Sequence, residues 1–165
     1  MGLNSNFGTA PHKEAEGAWF ELDEDTKVKL RRAGGGNKEY DKLHSKLLEP
    51  HMRRLRMAHG KRIPPGLEEP LKAIQRTCYS RTVIVGWQTK VNGEWCDGIE
   101  PYQLNDEGAP VAVPYEEASD LFPVTEKTIT KALEDYPEAL LTIMELCGDA
   151  TAFKDEMLEA MEGNS

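Results

Sequence analysis

The sequence predicts a mainly α-helical fold, a small helical domain with an N-terminal β-hairpin and a long irregular loop between helices. Apolar residues recur at helical spacing through much of residues 38–87 and again through residues 116–162. Residues 17–33 instead contain an aromatic run and an alternating run, which favour two short strands. Residues 88–115 lose the helical period and hold several glycines and prolines, which predicts an extended loop.

The chain of 165 residues has the size of one domain. Residues 1–16 are rich in Gly, Asn and Ser and then charged, so we expect a flexible N-terminus followed by a single domain over residues 17–165. No apolar run approaches the roughly 20 residues that span a bilayer, and no signal-peptide pattern is present. These features predict a cytoplasmic protein with no membrane partner.

Two adjacent runs predict the hairpin over residues 17–33. Residues 18–22 read AWFEL, and residues 27–31 alternate basic side chains with Val and Leu. The acidic residues 23–25 between them suit a polar turn. Because two strands alone are only marginally stable, we expect the hairpin to pack on a helix.

Helices are expected through residues 38–87, and Asn37 can cap the first of them. Pro50 interrupts this first apolar stripe, which predicts a kink or two helices in tandem. A central helix is predicted over residues 69–87, ending near Gly86. Its apolar stripe is formed by Leu71, Ile74, Cys78, Tyr79, Val83 and Val85.

The extended loop predicted over residues 88–115 contains one specific signal. Asn92 and Gly93 lie between apolar residues, and Asn-Gly is the strongest short sequence signal for a two-residue hairpin turn. We therefore expect a small hairpin at this point within an otherwise irregular segment.

The last helical region is predicted over residues 116–162. Thr125 can cap one helix, and Pro137 can occupy the first turn of the next. Gly148 is expected to end that helix, and Asp149 to cap a final one.

The charge is unevenly distributed along the chain. Residues 1–62 contain 13 Lys and Arg against 9 Asp and Glu, whereas residues 63–165 contain 7 against 20, and the net charge is −9. A basic first third and an acidic remainder predict one surface of each sign, or pairing between them. The acidic second part argues against nucleic-acid binding by the whole chain.

No sequence motif for catalysis, a cofactor or a metal is present. His44, His51 and His59 lie near one helix face, but metal sites need three or four converging ligands, and surface histidines are the favoured interpretation. The glycine run over residues 34–36 lacks the Lys-Ser/Thr of a phosphate loop, so a plain hinge is favoured. We expect a non-enzymatic protein without cofactors and with reduced cysteines.

The basic segment over residues 38–62 has two interpretations. Its eight Lys and Arg residues could contact phosphates, which would suit a nucleic-acid-binding regulator. The favoured alternative is a solvated helix face that pairs with the acidic part of the chain.

The candidate partner-binding site lies in the final predicted helix. It is an apolar stripe at helical spacing formed by Phe153, Met157, Leu158 and Met161. Methionine is flexible and polarizable, and it recurs on surfaces that accept varied apolar partners. The alternative, that this helix packs on the protein's own core, is equally compatible with the sequence.

Several short runs, taken in order, carry a family resemblance over about residues 17–165. The runs are 29–33, 36–40, 83–87, 105–108, 113–115, 136–140 and 163–165, with Trp19, Leu43, Leu47, Leu48, Pro50, Ile143, Asp149 and Phe153 between them. In their order and spacing the chain resembles the tail assembly chaperones of long-tailed bacteriophages, which are also described as minor tail proteins. The segments 88–115 and 123–135 are longer than that pattern leads us to expect.

The resemblance implies a non-enzymatic role in the cytoplasm of the host cell. Such chaperones bind and solubilise the long helical tape-measure protein and promote assembly of the tail-tube protein around it. Self-association is left open, and two alternatives remain. One is a structural minor tail protein that stays in the virion, and the other is the nucleic-acid-binding regulator described above.

Overall fold

The structure, a computed structural model, describes residues 16–34, 36–58 and 63–148. Its centre is a four-stranded antiparallel sheet in the order β1-β2-β3-β4, where the strands are β1 Ala18–Asp23, β2 Thr26–Leu30, β3 Ile84–Val91 and β4 Glu94–Asp97. The helices are α1 Lys38–Leu48, α2 Met52–Met57, α3 Glu68–Cys78, α4 Glu126–Asp135 and α5 Pro137–Gly148. A separate two-stranded sheet pairs β5 Tyr102–Leu104 with β6 Pro110–Ala112. The fold is mixed α/β, so the predicted mainly α-helical class is wrong.

The hairpin expected over residues 17–33 forms between β1 and β2. Phe20 pairs with Val28, and the backbone amide of Asp25 donates to the carboxylate of Asp23 in the turn, at 2.8 Å. Packing on a helix is not the only interaction that stabilises the hairpin, because β2 also pairs with β3 along its whole length. A sheet of this size supplies the stability that two strands lack.

The hydrophobic core lies between one face of this sheet and the helices α4 and α5. On the sheet side, Val28 and Trp87 are cross-strand partners and both are buried. The other buried members of the core are Ala18, Phe20, Leu30, Tyr79, Val83, Ile84, Ile99, Ile129, Leu133, Leu140, Ile143 and Cys147. Burial of these side chains is the main force holding the two layers together.

The opposite face of the sheet is closed by a row of tryptophans and lysines. The ammonium of Lys27 lies 5.1 Å from the ring centre of Trp19 and 4.6 Å from that of Trp95, and Lys90 lies 4.8 Å from Trp95. These cation–π contacts let long polar side chains cover the sheet while their charges stay near solvent.

The central helix predicted over residues 69–87 is much shorter than expected. It ends at Cys78, continues as a π-helical turn over Tyr79–Val83, and becomes strand β3 at Ile84. The stretch 82–85 consists of four β-branched residues, which are stiff in a helix and pack well in a strand.

Gly86, predicted as a helix end, instead lies inside β3. A side-chain carbon at this position would lie 3.0 Å from the indole of Trp19 and 3.0 Å from Cβ of Lys29. The glycine therefore permits the Trp19 ring to lie over the strand.

The segment 88–115, predicted as an extended loop, contains regular strands. β3 continues to Val91, and Asn92 and Gly93 form the expected tight turn into β4, with φ values of 52° and 84°. Residues 102–104 and 110–112 form the second hairpin. Strands occupy half of this segment, so the prediction of a long irregular loop between helices is wrong there.

The helices near residues 125–148 begin where the sequence indicates. The hydroxyl of Thr125 accepts from the amide of Thr128, and the hydroxyl of Thr128 accepts from the amide of Thr125, which forms a capping box at α4. Pro137 opens α5. Residues 149–165, with the predicted final helix and its stripe, lie outside the described residues.

Candidate partner-binding groove

A groove of about 650 Å³ opens between helices α1, α3 and α5. We call it the α3–α5 groove. Its lining is mostly apolar and comes from four helices and one connecting residue. The described lining residues are His44, Leu48, Ile63, Glu68, Leu71, Lys72, Ile74, Gln75, Arg76, Leu133, Pro137, Leu140, Leu141 and Met144.

The floor of the groove is continuous with the core, and its rim is open. Ile74 and Leu133 are buried, Leu133 to 1% exposure, whereas Leu141 is 61% exposed and Ile63 is 50% exposed. A concave, mostly apolar surface with a few polar groups at its edge is the usual form of a binding site. The groove is therefore the strongest candidate binding surface in the described part of the chain.

Helix α5 supplies the apolar rim because it is apolar on more than one side. Leu140, Ile143 and Cys147 recur at helical spacing and are buried in the core. Leu141 lies outside that stripe and lines the groove, and Met144, which also lines the groove, is partly buried against the core. A helix that only covered the core would carry a polar residue at position 141.

Four polar side chains of α3 also line the groove. Arg76 forms an ion pair with Glu69, and this hydrogen bond lowers the pKa of the Glu69 carboxyl below its ordinary value. Lys72 lies on the exposed side of α3. The side-chain oxygen of Gln75 is buried and accepts no hydrogen bond within the described residues.

His44 stands at the mouth of the groove and is held by aromatic stacking. Its ring lies 5.5 Å from that of Tyr40 with an interplanar angle of 9°, and Tyr40 contacts the buried Tyr79 edge-on at 5.8 Å. Across residues 16–34, 36–58 and 63–148, no three His, Cys, Asp or Glu side chains are grouped to hold a metal. Burial is the largest cause of the raised pKa of Tyr40 and of Tyr79.

Apolar side chains form most of the described lining of the groove, and its polar members are His44, Glu68, Lys72, Gln75 and Arg76. Arg54, from the basic segment, donates to the backbone carbonyl of Pro65 at 2.6 Å and so braces the connection into α3. Such a surface can bind an apolar segment and orient it through the polar rim.

A second, smaller cavity of about 290 Å³ lies on another side of α5, where Glu138, Ala139 and Thr142 contribute to its lining. Trp87, Ile99 and Tyr136 line it together with the acidic residues Glu100 and Asp23. Burial is the largest cause of the raised pKa of Glu100, and the neighbouring carboxylates Asp23 and Asp25 raise it further.

The stripe predicted as the binding site, Phe153, Met157, Leu158 and Met161, lies outside the described residues. The groove itself was missed by sequence reasoning. Its only sequence signal is the doublet Leu140-Leu141 followed by Met144. These residues give α5 an apolar stripe that is broader than one buried face needs.

Comparisons with known proteins found no relationship. No family model matches the chain, and no curated protein or solved structure matches it. Among the described residues, no helix combines the length and the apolar character that crossing a membrane requires.

Proposed function

We propose that this protein is a non-enzymatic tail assembly chaperone of a long-tailed bacteriophage. In this proposal it acts in the host cytoplasm, binds apolar helical segments of the tape-measure protein, keeps them soluble and promotes assembly of the tail-tube protein. The observation that carries the proposal is the α3–α5 groove, an apolar surface left open beside the core. The sequence resemblance to phage tail assembly chaperones gives the partner its identity.

The groove suits a helical partner because it is itself walled by helices. An amphipathic helix can lay an apolar stripe along α3 and α5 and contact Leu71, Leu141 and Met144. Lys72 and Glu68 lie at the edge, where they can pair with polar residues beside such a stripe. Each contact can be weak, because several chaperones on one long target gain from high effective concentration.

Coexpression of this protein with the tape-measure protein of the same phage tests the proposal. The soluble fraction of the tape-measure protein and its recovery in a pull-down should both rise with the wild-type chain. Leu141→Glu should lower the affinity about tenfold or more, because burying a leucine contributes about 1.5–3 kcal/mol. Leu141 is 61% exposed, so this change should leave the fold intact.

Val111→Glu is the matched control. Val111 is also an exposed apolar residue, at 45%, but it lies on β6 and not in the groove. Equal binding by both variants would remove the groove from the proposal. A tape-measure protein that stays insoluble with the wild-type chain would contradict the function itself, and recovery of the protein from purified virions would favour the structural alternative.

A further inference from the structure

The smaller cavity, of about 290 Å³, has a lining unlike that of the groove, and we call it the acidic cavity after Asp23, Glu100 and Glu138. It lies among the β1–β2 hairpin, β3 and the helices α4 and α5. No residue of its described lining also lines the α3–α5 groove. A role for this cavity is therefore separate from the proposed function.

The floor of the acidic cavity is apolar. Trp87, Ile99 and Ala132 line it, and all three are buried. Ligand pockets in proteins usually measure about 300–1,000 Å³, so a cavity at the lower end of this range suits a small group. The floor can therefore hold a short apolar chain, of the size of one amino-acid side chain.

Three carboxylates line the cavity, and its described lining contains no Lys, Arg or His. Asp23 and Glu138 are exposed at the rim, whereas Glu100 is half-buried. Burial raises the pKa of Glu100, and the negative charges of Asp23 and Asp25 raise it further, so these carboxylates lie near one another. In the described part of the chain, none of the three lining carboxylates forms an ion pair. A bound cation would relieve the repulsion between them.

Thr26 is an independent indication that the cavity binds a polar ligand. The residue lines the cavity and is only 9% exposed, and its hydroxyl has no hydrogen-bond partner among the described residues. The hydroxyl of Thr89, another buried threonine of the same sheet, donates to the carbonyl of Gly98 at 2.9 Å. Because buried hydroxyls are normally hydrogen-bonded, the hydroxyl of Thr26 is available to a group that enters the cavity.

The lining favours an organic cation over a metal ion. Across residues 16–34, 36–58 and 63–148, no three His, Cys, Asp or Glu side chains are grouped to hold a metal. A larger cation that carries an apolar chain uses both parts of the cavity, since its N–H groups can donate to the carboxylates while its chain lies on the floor. The aromatic rings of Trp87 and Tyr136, which also line the cavity, attract cations.

We propose that the acidic cavity binds an organic cation with a short apolar chain, an alkylammonium or alkylguanidinium group, held by Asp23, Glu100 and Glu138. A free amine and the Lys or Arg side chain of another protein share this chemistry. A side chain enters through the exposed rim while its backbone stays outside, whereas a free amine enters whole. The inference does not depend on the proposed function.

An NMR titration of the isotope-labelled full-length chain tests the proposal. One probe is n-butylammonium, which has the chain and charge of a lysine side chain, and the other is lysine blocked at both backbone ends. The neutral control is n-butanol. We expect n-butylammonium to shift the signals of Thr26, Trp87 and Glu100 and to bind about tenfold or more tightly than n-butanol. Blocked lysine that binds within about threefold of n-butylammonium assigns the site to a side chain, and much weaker binding assigns it to a free amine.

Glu100→Gln should raise the dissociation constant of n-butylammonium about tenfold or more, because it keeps the shape of the side chain and removes the half-buried charge. Glu107→Gln is the matched control, since it removes one carboxylate from the exposed turn between β5 and β6, outside the cavity. Its effect should stay below about twofold at an ionic strength of about 0.15 M, where charges are screened over about 8 Å. Urea denaturation checks that both variants are folded.

Equal dissociation constants for the two variants would overturn the proposal. Binding of n-butanol as tight as that of n-butylammonium, or signal shifts spread over acidic residues elsewhere on the surface, would overturn it as well. The titration contains no tape-measure protein, so the cavity can fail this test while solubilisation succeeds, and the reverse.

Discussion

Asn37 joins three parts of the chain, and its replacement should be costly. The side chain is buried, with 3% exposure. Its Nδ2 donates to the carbonyls of Arg32 and Thr82, both at 2.8 Å, and its Oδ1 accepts from the amide of Tyr40 at 3.2 Å. One residue thus fastens the end of β2, the π-helical turn and the start of α1.

Asn37→Ala should lower the free energy of unfolding by about 2–4 kcal/mol. Loss of the helix cap contributes about 1 kcal/mol. The buried carbonyl of Thr82 loses its donor, and an unsatisfied buried polar group costs about 1–3 kcal/mol. The helix cap and the hydrogen bond to Thr82 are made by the same side chain, so the two free-energy losses are not strictly additive.

Urea denaturation followed by circular dichroism measures this loss. Asn37→Asp keeps the cap acceptor but removes both donors and places a carboxylate against two carbonyls, so it should be at least as destabilising at pH 7. Asn105→Ala is the control, because Asn105 accepts from the amides of Glu107 and Ala109 in an exposed turn. If Asn37→Ala costs no more than Asn105→Ala, the inferred joining role of Asn37 is wrong.

Two further changes test the region around β4. Gly98→Ala should cost about 3 kcal/mol or more, because its φ is +145° and the new carbon would lie 2.5 Å from Cβ of Leu121. Gly108→Ala, with φ +81° and no atom within 4 Å, should cost about 1 kcal/mol, and equal urea midpoints would contradict the close contact. Burial raises the pKa of the Glu100 carboxyl above its ordinary value, and the neighbouring Asp23 raises it further. The folded state therefore binds this proton more readily than the unfolded state does. As a result, the stability of the protein falls as the pH rises through the raised pKa. Glu100→Gln should therefore raise the unfolding midpoint at pH 7 and lose this advantage at pH 4, and a gain that is independent of pH would refute the assignment.

Local signals in the sequence located several elements correctly. The alternating residues 27–31, the capping side chain of Asn37 and the turn at Asn92 and Gly93 act over a few residues, so the sequence alone is sufficient to place them. The capping box at Thr125 is of the same kind.

The prediction of the fold class went wrong at residues 79–85, because the apolar residues of this run fit both the helical period and the strand period. Tyr79, Val83 and Val85 continue the helical stripe of α3, yet β-branched residues in the same run favour a strand. Pairing of β3 with β2, which places Trp87 opposite Val28, decides between them. That partner is about 60 residues away in the sequence, so local pattern could not reveal it.

The groove could not be predicted for a related reason. Leu71, Leu141 and Met144 were recognisable as helical apolar residues, but their exposure depends on how three helices pack around a common floor. Only the order of elements in space shows which apolar residues are left uncovered.

The π-helical turn Tyr79–Val83 connects α3 to β3 without a loop. Ser80 accepts from the hydroxyl of Thr130 at 2.8 Å, and Arg81 pairs with Glu126, so the turn is also fixed to α4. One wall of the groove is therefore continuous through the backbone with β3, the strand that is hydrogen-bonded to β2 on one edge and to β4 on the other. Moving α3 relative to the sheet thus requires the turn to bend or the hydrogen bonds of β3 to break.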